Sequence, residues 1–176
     1  MKTSIIRFAR VTATLSCLMA LVTAIAQTAG ITNTSTGEWP AYGGDPGHTR
    51  YSPLDQLNAR NFDRLEVEWR FSVANMGPAP EHNFQSTPLV VDGVLYTTGG
   101  TRRAVTALDA ETGEQLWIFG LDEGRRGGTA ARRLSGRGLA FWRSGDDKRV
   151  VYVSPGYQLV ALDAETGRLV EGFGND

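Results

Sequence analysis

Cysteine and histidine are nearly missing from this sequence. Its single cysteine, Cys17, falls among the first 26 residues, and its two histidines, His48 and His82, are too isolated from each other to propose as a metal pair. A disulfide, a zinc–thiolate centre and a cysteine nucleophile are therefore excluded from everything after residue 26, and the histidines read as loop residues rather than a metal pair. Acidic side chains are absent before Glu38. A sustained 3.6-residue apolar period is lacking throughout, which rules out a helical bundle. No Ser-His-Asp constellation can be defended from spacing.

The missing acids belong to a distinct N-terminal segment. Lys2, Arg7 and Arg10 precede an uncharged stretch with its apolar centre near Leu15 to Val22, and Ala24-Ile25-Ala26 places small residues where a signal peptidase accepts them. Residues 1–26 are read as a secretory signal cleaved before Gln27, which predicts a periplasmic protein. An uncleaved, membrane-associating anchor is the alternative, although the apolar centre is shorter than the ~20 residues that span a bilayer. Cleavage removes three of the 18 basic residues and none of the 19 acidic ones, taking the net charge from −1 to −4. That balance argues against a nucleic-acid partner, despite five arginines between 125 and 137.

What the chain has in quantity is glycine and alternation. Its 21 glycines follow no collagen period and punctuate short apolar segments, so the class is all-β. Residues 27–38 form a polar, flexible leader, and 39–176 the folded part. WPAYGGDPGHTRY, from Trp39 to Tyr51, reads as an ordered loop pinned by buried rings. Strands are predicted at Leu65–Val73, on both sides of Asp92-Gly93 in PLVVDGVLYTT, and at Ala104–Leu108, Gln115–Phe119, Gly138–Trp142, Arg149–Val153, Gln158–Leu162 and Arg168–Val170. The Asp-Gly pair suits a type I′ hairpin turn. The glycine clusters at 99–103 and 124–128 lack P-loop spacing and read as turns rather than helix-opening phosphate loops.

A repeat organises these strands. VTALDAETG ends at Gly113 and LVALDAETG at Gly167, so ALDAETG recurs after 54 residues. This is longer than the roughly 40–50 residues of common propeller units, and the excess matches an insertion at Gly120 to Gly138. The block reads as a strand–turn–strand corner. Asp109 accepts from the amides of Glu111 and Thr112, Gly113 takes a left-handed conformation, and small Ala107 leaves room for the ring of Trp117 to wedge between neighbouring sheets. The second copy keeps Ala161, Asp163, Thr166 and Gly167 but has Glu171 at the tryptophan position, which predicts a weakened docking contact for that blade.

Ala107, Asp109, Thr112, Gly113 and Trp117, together with WPAYGGDPGHTRYSPLDQLN, VEWRF, QSTPLVVDGVLYT and RGLAFW, resemble the pyrroloquinoline-quinone (PQQ) dependent dehydrogenases. The resemblance runs from about Glu38 to the last residue. It implies a partial β-propeller, about two four-stranded blades of an eight-bladed ring, alone inactive and poorly stable. It also implies PQQ as hydride acceptor, with Gln85 and Arg137 contacting it. An amide donates to a carboxylate without like-charge repulsion, and a guanidinium binds one bidentately. Read without the resemblance, Gln85 is a turn-stabilising amide and Arg137 a surface arginine beside Arg125, Arg126, Arg132 and Arg133. The catalytic base and the ligands of an expected calcium ion match no position here and are expected beyond residue 176. Ala130-Ala131-Arg132 stands where alcohol-oxidising members carry adjacent cysteines. That departure, with Gln85 in place of a glutamate, points to the branch resembling membrane-linked glucose, quinate and shikimate dehydrogenases. The partners so implied are a sugar or polyol substrate and a membrane quinone or other electron acceptor. The competing reading is a cofactor-free propeller scaffold resembling outer-membrane assembly proteins.

Overall fold

The computed structural model describes residues 37–79, 81–134, 136 and 138–174. The signal segment, most of the leader and Arg137 lie outside the described residues. Two antiparallel sheets follow one another along the chain. The first is ordered β1-β2-β3-β4, with β1 Leu89–Val91, β2 Val94–Gly99, β3 Ala104–Asp109 and β4 Gln115–Phe119. The second is ordered β5-β6-β7, with β5 Ala140–Ser144, β6 Asp147–Val153 and β7 Leu159–Asp163. A single bridge, Leu162 to Leu169, continues the second sheet where a fourth strand was expected at Arg168–Val170. The all-β, partial-propeller reading holds.

Local chemistry explains the hairpins. Asp92 and Gly93 both take positive φ, 52° and 76°, and place Val91 opposite Val94 as a type I′ turn requires. Gly100 closes the next hairpin with φ 73°, and a Cβ there would lie 1.8 Å from the Met76 carbonyl oxygen, so no larger residue fits. Trp39 pairs through its own backbone with Val90 and covers the β1 edge.

The two sheets share one core. Leu89, Val105, Val150 and Leu162 are fully buried together with Ala107, Tyr152 and Ala164. Burying each aliphatic side chain stabilises the fold by about 1.5–3 kcal/mol. The ring of Tyr96 lies 6.0 Å from that of Trp117 and 5.9 Å from that of Phe141, linking β2, β4 and β5. At the sheet margin Asp92 accepts from Arg143 at 2.7 Å and pairs with Lys148 at 2.9 Å. These contacts, chiefly the Lys148 hydrogen bond, hold the Asp92 carboxyl below its ordinary range.

The repeated corners form as the residues dictate. Asp109 accepts from the amides of Thr112 (2.7 Å) and Glu111 (3.1 Å), and Asp163 accepts from Thr166 (2.8 Å). Gly113 and Gly167 adopt φ 74° and 69°. Trp117 wedges between the two sheets, as expected. Trp117 sits across the ladder from Ala107 but docks on the next corner, donating from Nε1 to the Ala164 carbonyl at 3.0 Å with its ring against Gly167. Trp69 does the same one repeat earlier, donating to the Ala110 carbonyl at 3.3 Å with its ring against Gly113. The second corner therefore has its tryptophan, correcting the expectation that Glu171 weakens its docking.

Other expectations also give way. Leu65–Val73 forms no strand; Leu65 and Val67 are exposed, because among the described residues no segment pairs with this one. The strand expected at Gly138–Trp142 begins two residues later. Gly124–Gly128 forms a short helix, α1, rather than a turn. Its N-cap residue, Glu123, accepts from Ser154 Oγ at 2.6 Å and from the Gly156 amide at 2.7 Å, so tertiary contacts hold a segment of poor helix propensity. In the opening loop Tyr42 and Tyr51 are exposed, and Trp39 alone of its aromatics is partly buried. No helix of the described residues is long and apolar enough to cross a membrane.

Candidate functional site

The loop before β1, the β2–β3 turn, the segment after α1 and the β6–β7 turn converge on a cavity of about 660 Å³. Gln85, Arg103, Arg132, Arg133, His82 and Tyr157 contribute to its walls. Among the described residues that line it, three are arginines and none is an aspartate or glutamate. Such a wall attracts an anion and offers it planar donors.

Buried hydroxyls hold the Gln85 segment against the strand beneath it. Ser86 Oγ lies 2.9 Å from Thr97 Oγ1 and 3.0 Å from Thr98 Oγ1, and accepts from the Thr98 amide at 3.2 Å. Thr98, wholly buried, donates in turn to the Gly136 carbonyl at 3.4 Å. The chain positions just after Gln85 and just before Arg137 are thus joined through one side chain. The structure places Gln85 on the cavity, and Gly136, the residue before Arg137, lines the same wall.

Arg103 was not singled out by the sequence, where it is one member of a basic turn. Its backbone is left-handed, φ 52°, which costs a residue with a Cβ roughly 1–2 kcal/mol. Its guanidinium donates to three backbone carbonyls: Val153 at 2.7 Å, Leu134 at 3.1 Å and Arg132 at 3.1 Å. None of the ion pairs among the described residues includes it. Burial pulls its pKa down, yet arginine stays charged in proteins, so a positive charge persists at the cavity wall.

A second cavity of about 420 Å³ adjoins the first and shares His82, Arg133, Leu134 and Pro155 with it. It also reaches Asp122 and Glu123, but Glu123 is occupied with Ser154 and Gly156. Burial raises the Tyr152 phenol to about 12, so it is neutral at physiological pH. No group of three or more histidine, aspartate or glutamate side chains among the described residues could hold a metal ion. The arrangement can bind and orient an anionic ligand.

Known proteins share this architecture. Residues 39–176 match the family model for the glucose/ethanol/alcohol dehydrogenase β-propeller domain. The dehydrogenase subunit of alcohol dehydrogenase (quinone) from Gluconobacter oxydans is 37% identical over 76% of this chain and 16% of its own length. The 1-butanol dehydrogenase (cytochrome c) of Thauera butanivorans is 35% identical over 89% of this chain and 20% of its own. The crystal structure of quinohemoprotein alcohol dehydrogenase from Comamonas testosteroni superposes with a TM-score of 0.64 at 31% identity, covering 80% of this chain and 21% of that one. The chain thus spans about a fifth or less of the length of these relatives.

Proposed function

This chain belongs to the glucose/ethanol/alcohol dehydrogenase β-propeller family, and from that premise we propose that it builds one wall of the PQQ site in a dehydrogenase oxidising a small-molecule alcohol. The observation that carries this reading is the 660 Å³ cavity, whose described lining includes Gln85 and three arginines and no acidic side chain. PQQ is a planar quinone with several carboxylates, and donors without opposing negative charge suit it. When bound, the quinone supplies the two-electron oxidising capacity for the CH–OH carbon. Gln85 contributes an amide donor to a carboxylate or carbonyl of the ring system, and Arg137 a bidentate guanidinium. Calcium is proposed to be held by residues of the complete protein beyond position 176.

The substrate is proposed to be a sugar or polyol. Support comes from Gln85 and from Ala130-Ala131-Arg132, which departs from the adjacent-cysteine pattern of the family's alcohol-oxidising members. The relatives named above oxidise alcohols, so a simple primary alcohol is the competing outcome. Electrons are proposed to pass to a quinone or a cytochrome c, and the protein to act in the periplasm after export by residues 1–26. The test is reconstitution of the complete protein with PQQ and calcium, followed by dye reduction with glucose, quinate, glycerol, ethanol and 1-butanol. Reduction that requires PQQ and is faster with the polyols is expected. Equal rates with and without PQQ would refute the enzyme, and a preference for ethanol or 1-butanol would refute the polyol assignment.

A further inference from the structure

Three segments distant in sequence meet at Arg103. The turn that carries it links β2 to β3 in the first sheet. The carbonyls of Arg132 and Leu134 belong to the segment after α1, and that of Val153 ends β6 in the second sheet. The contact is built rather than incidental. The backbone is held left-handed at φ 52°, and strain of this kind persists only where surrounding contacts determine it. A Cβ on Gly136 would lie 2.8 Å from Arg103 Nε, so the segment's glycine lets it lie directly on the guanidinium. Planar, fixed donors suit three separate carbonyls in a way that a lysine ammonium does not.

We propose that Arg103 is a positioning residue, whose guanidinium holds the 131–136 segment against the second sheet and so shapes the cavity that receives the anionic quinone. The proposal rests on the PQQ reading above. In it, Arg103 acts through the backbone it holds, with its charge adding to the attraction of Arg132 and Arg133. Thr98 secures the same segment at Gly136, so the wall is held from both sides of the chain. A purely structural arginine would change stability alone; a positioning arginine changes cofactor affinity while the sheets stay intact.

The experiment uses the complete protein and two variants, Arg103→Met and Arg103→Lys, with PQQ affinity measured by equilibrium titration and backbone protection by amide hydrogen exchange. In Arg103→Met the PQQ dissociation constant is expected to rise at least tenfold. Amides of 131–136 should exchange at least tenfold faster, with β1–β4 unchanged. Arg103→Lys keeps the charge but not the three-carbonyl geometry, and should show the faster exchange with an intermediate loss of affinity. If Arg103→Met is too unstable to purify, Arg103→Lys decides by the same two readouts. Wild-type affinity together with wild-type exchange in either variant overturns the proposal. If the unaltered protein fails to bind PQQ, the cofactor reading falls. The positioning role then survives or fails on exchange in 131–136 alone.

Discussion

Replacing Gly167 by alanine tests how the sheets are joined, and its cost can be worked from two separate contributions. Gly167 has φ 69°, where a Cβ costs roughly 1–2 kcal/mol. That Cβ would also stand 2.6 Å from Trp117 Cδ2 and Cε3, atoms of a largely buried indole fixed by its bond to the Ala164 carbonyl. Displacing a packed side chain by such overfilling costs about 1–3 kcal/mol. The sum is about 2–5 kcal/mol of unfolding free energy. Gly93 supplies the control: its φ is 76°, but no atom lies within 4 Å of an added Cβ, so Gly93→Ala should cost only the backbone part, roughly 1–2 kcal/mol. A double-mutant cycle separates the parts further. In a Trp117→Ala background the clash vanishes, so Gly167→Ala should fall to the cost of Gly93→Ala, a coupling of about 1–3 kcal/mol. Denaturant titration followed by circular dichroism provides the free energies. Equal costs at Gly167 and Gly93, or an unchanged cost in the Trp117→Ala background, would refute the docking geometry.

Two further perturbations follow from the same contacts. Asp92 is held below its ordinary pKa by Lys148 and Arg143, so its contribution to stability is present above the unfolded value of 3.8 and is lost as pH falls through the lower folded value. With its side chain 42% exposed, the pair is screened, and Asp92→Asn should cost no more than about 1 kcal/mol at neutral pH and flatten the acid limb of a stability–pH curve; superimposable acid limbs would contradict this. Thr98→Val removes the buried hydroxyl between Ser86 and the Gly136 carbonyl and should destabilise by about 1–3 kcal/mol, read as a lowered thermal midpoint. An unchanged midpoint would show that those hydroxyls hold nothing.

What the sequence made legible was local. The Asp92-Gly93 turn, the Asp109–Thr112 and Asp163–Thr166 corners and the left-handed glycines depend on neighbours within a few residues, and each forms as the residue types require. Partnership across distance was less readable. Alternation in Leu65–Val73 marks a face but names no pairing segment, and the described residues supply none. Glu171 at the tryptophan position of the second copy suggests a weakened contact there, whereas geometry carries Trp69 to Gly113 and Trp117 to Gly167, one corner onward. The acceptors, Ala110 and Ala164, were invisible because a backbone carbonyl leaves no mark in a side-chain pattern. Gly124–Gly128 is glycine-rich and read as a turn, but Glu123 anchors it to the β6–β7 turn as a helix. At the candidate site, resemblance names Gln85 as a cofactor contact, and the residue lines the cavity. Arg103 was missed because its three acceptors come from 29 to 50 residues further along the chain.

The most direct measurement of the central claim is the affinity of the complete protein for PQQ, with Gln85→Ala and Arg137→Ala beside the unaltered chain. Loss of a charge-assisted hydrogen bond is worth roughly 1.5–3 kcal/mol, so Arg137→Ala should weaken binding by about 10- to 150-fold. Gln85→Ala, losing a bond from a neutral amide, should weaken it less. Saturable binding of PQQ by the unaltered protein, with both losses in that order, is the predicted result. Unchanged affinity in both variants would contradict the claim that this chain forms a wall of the cofactor site.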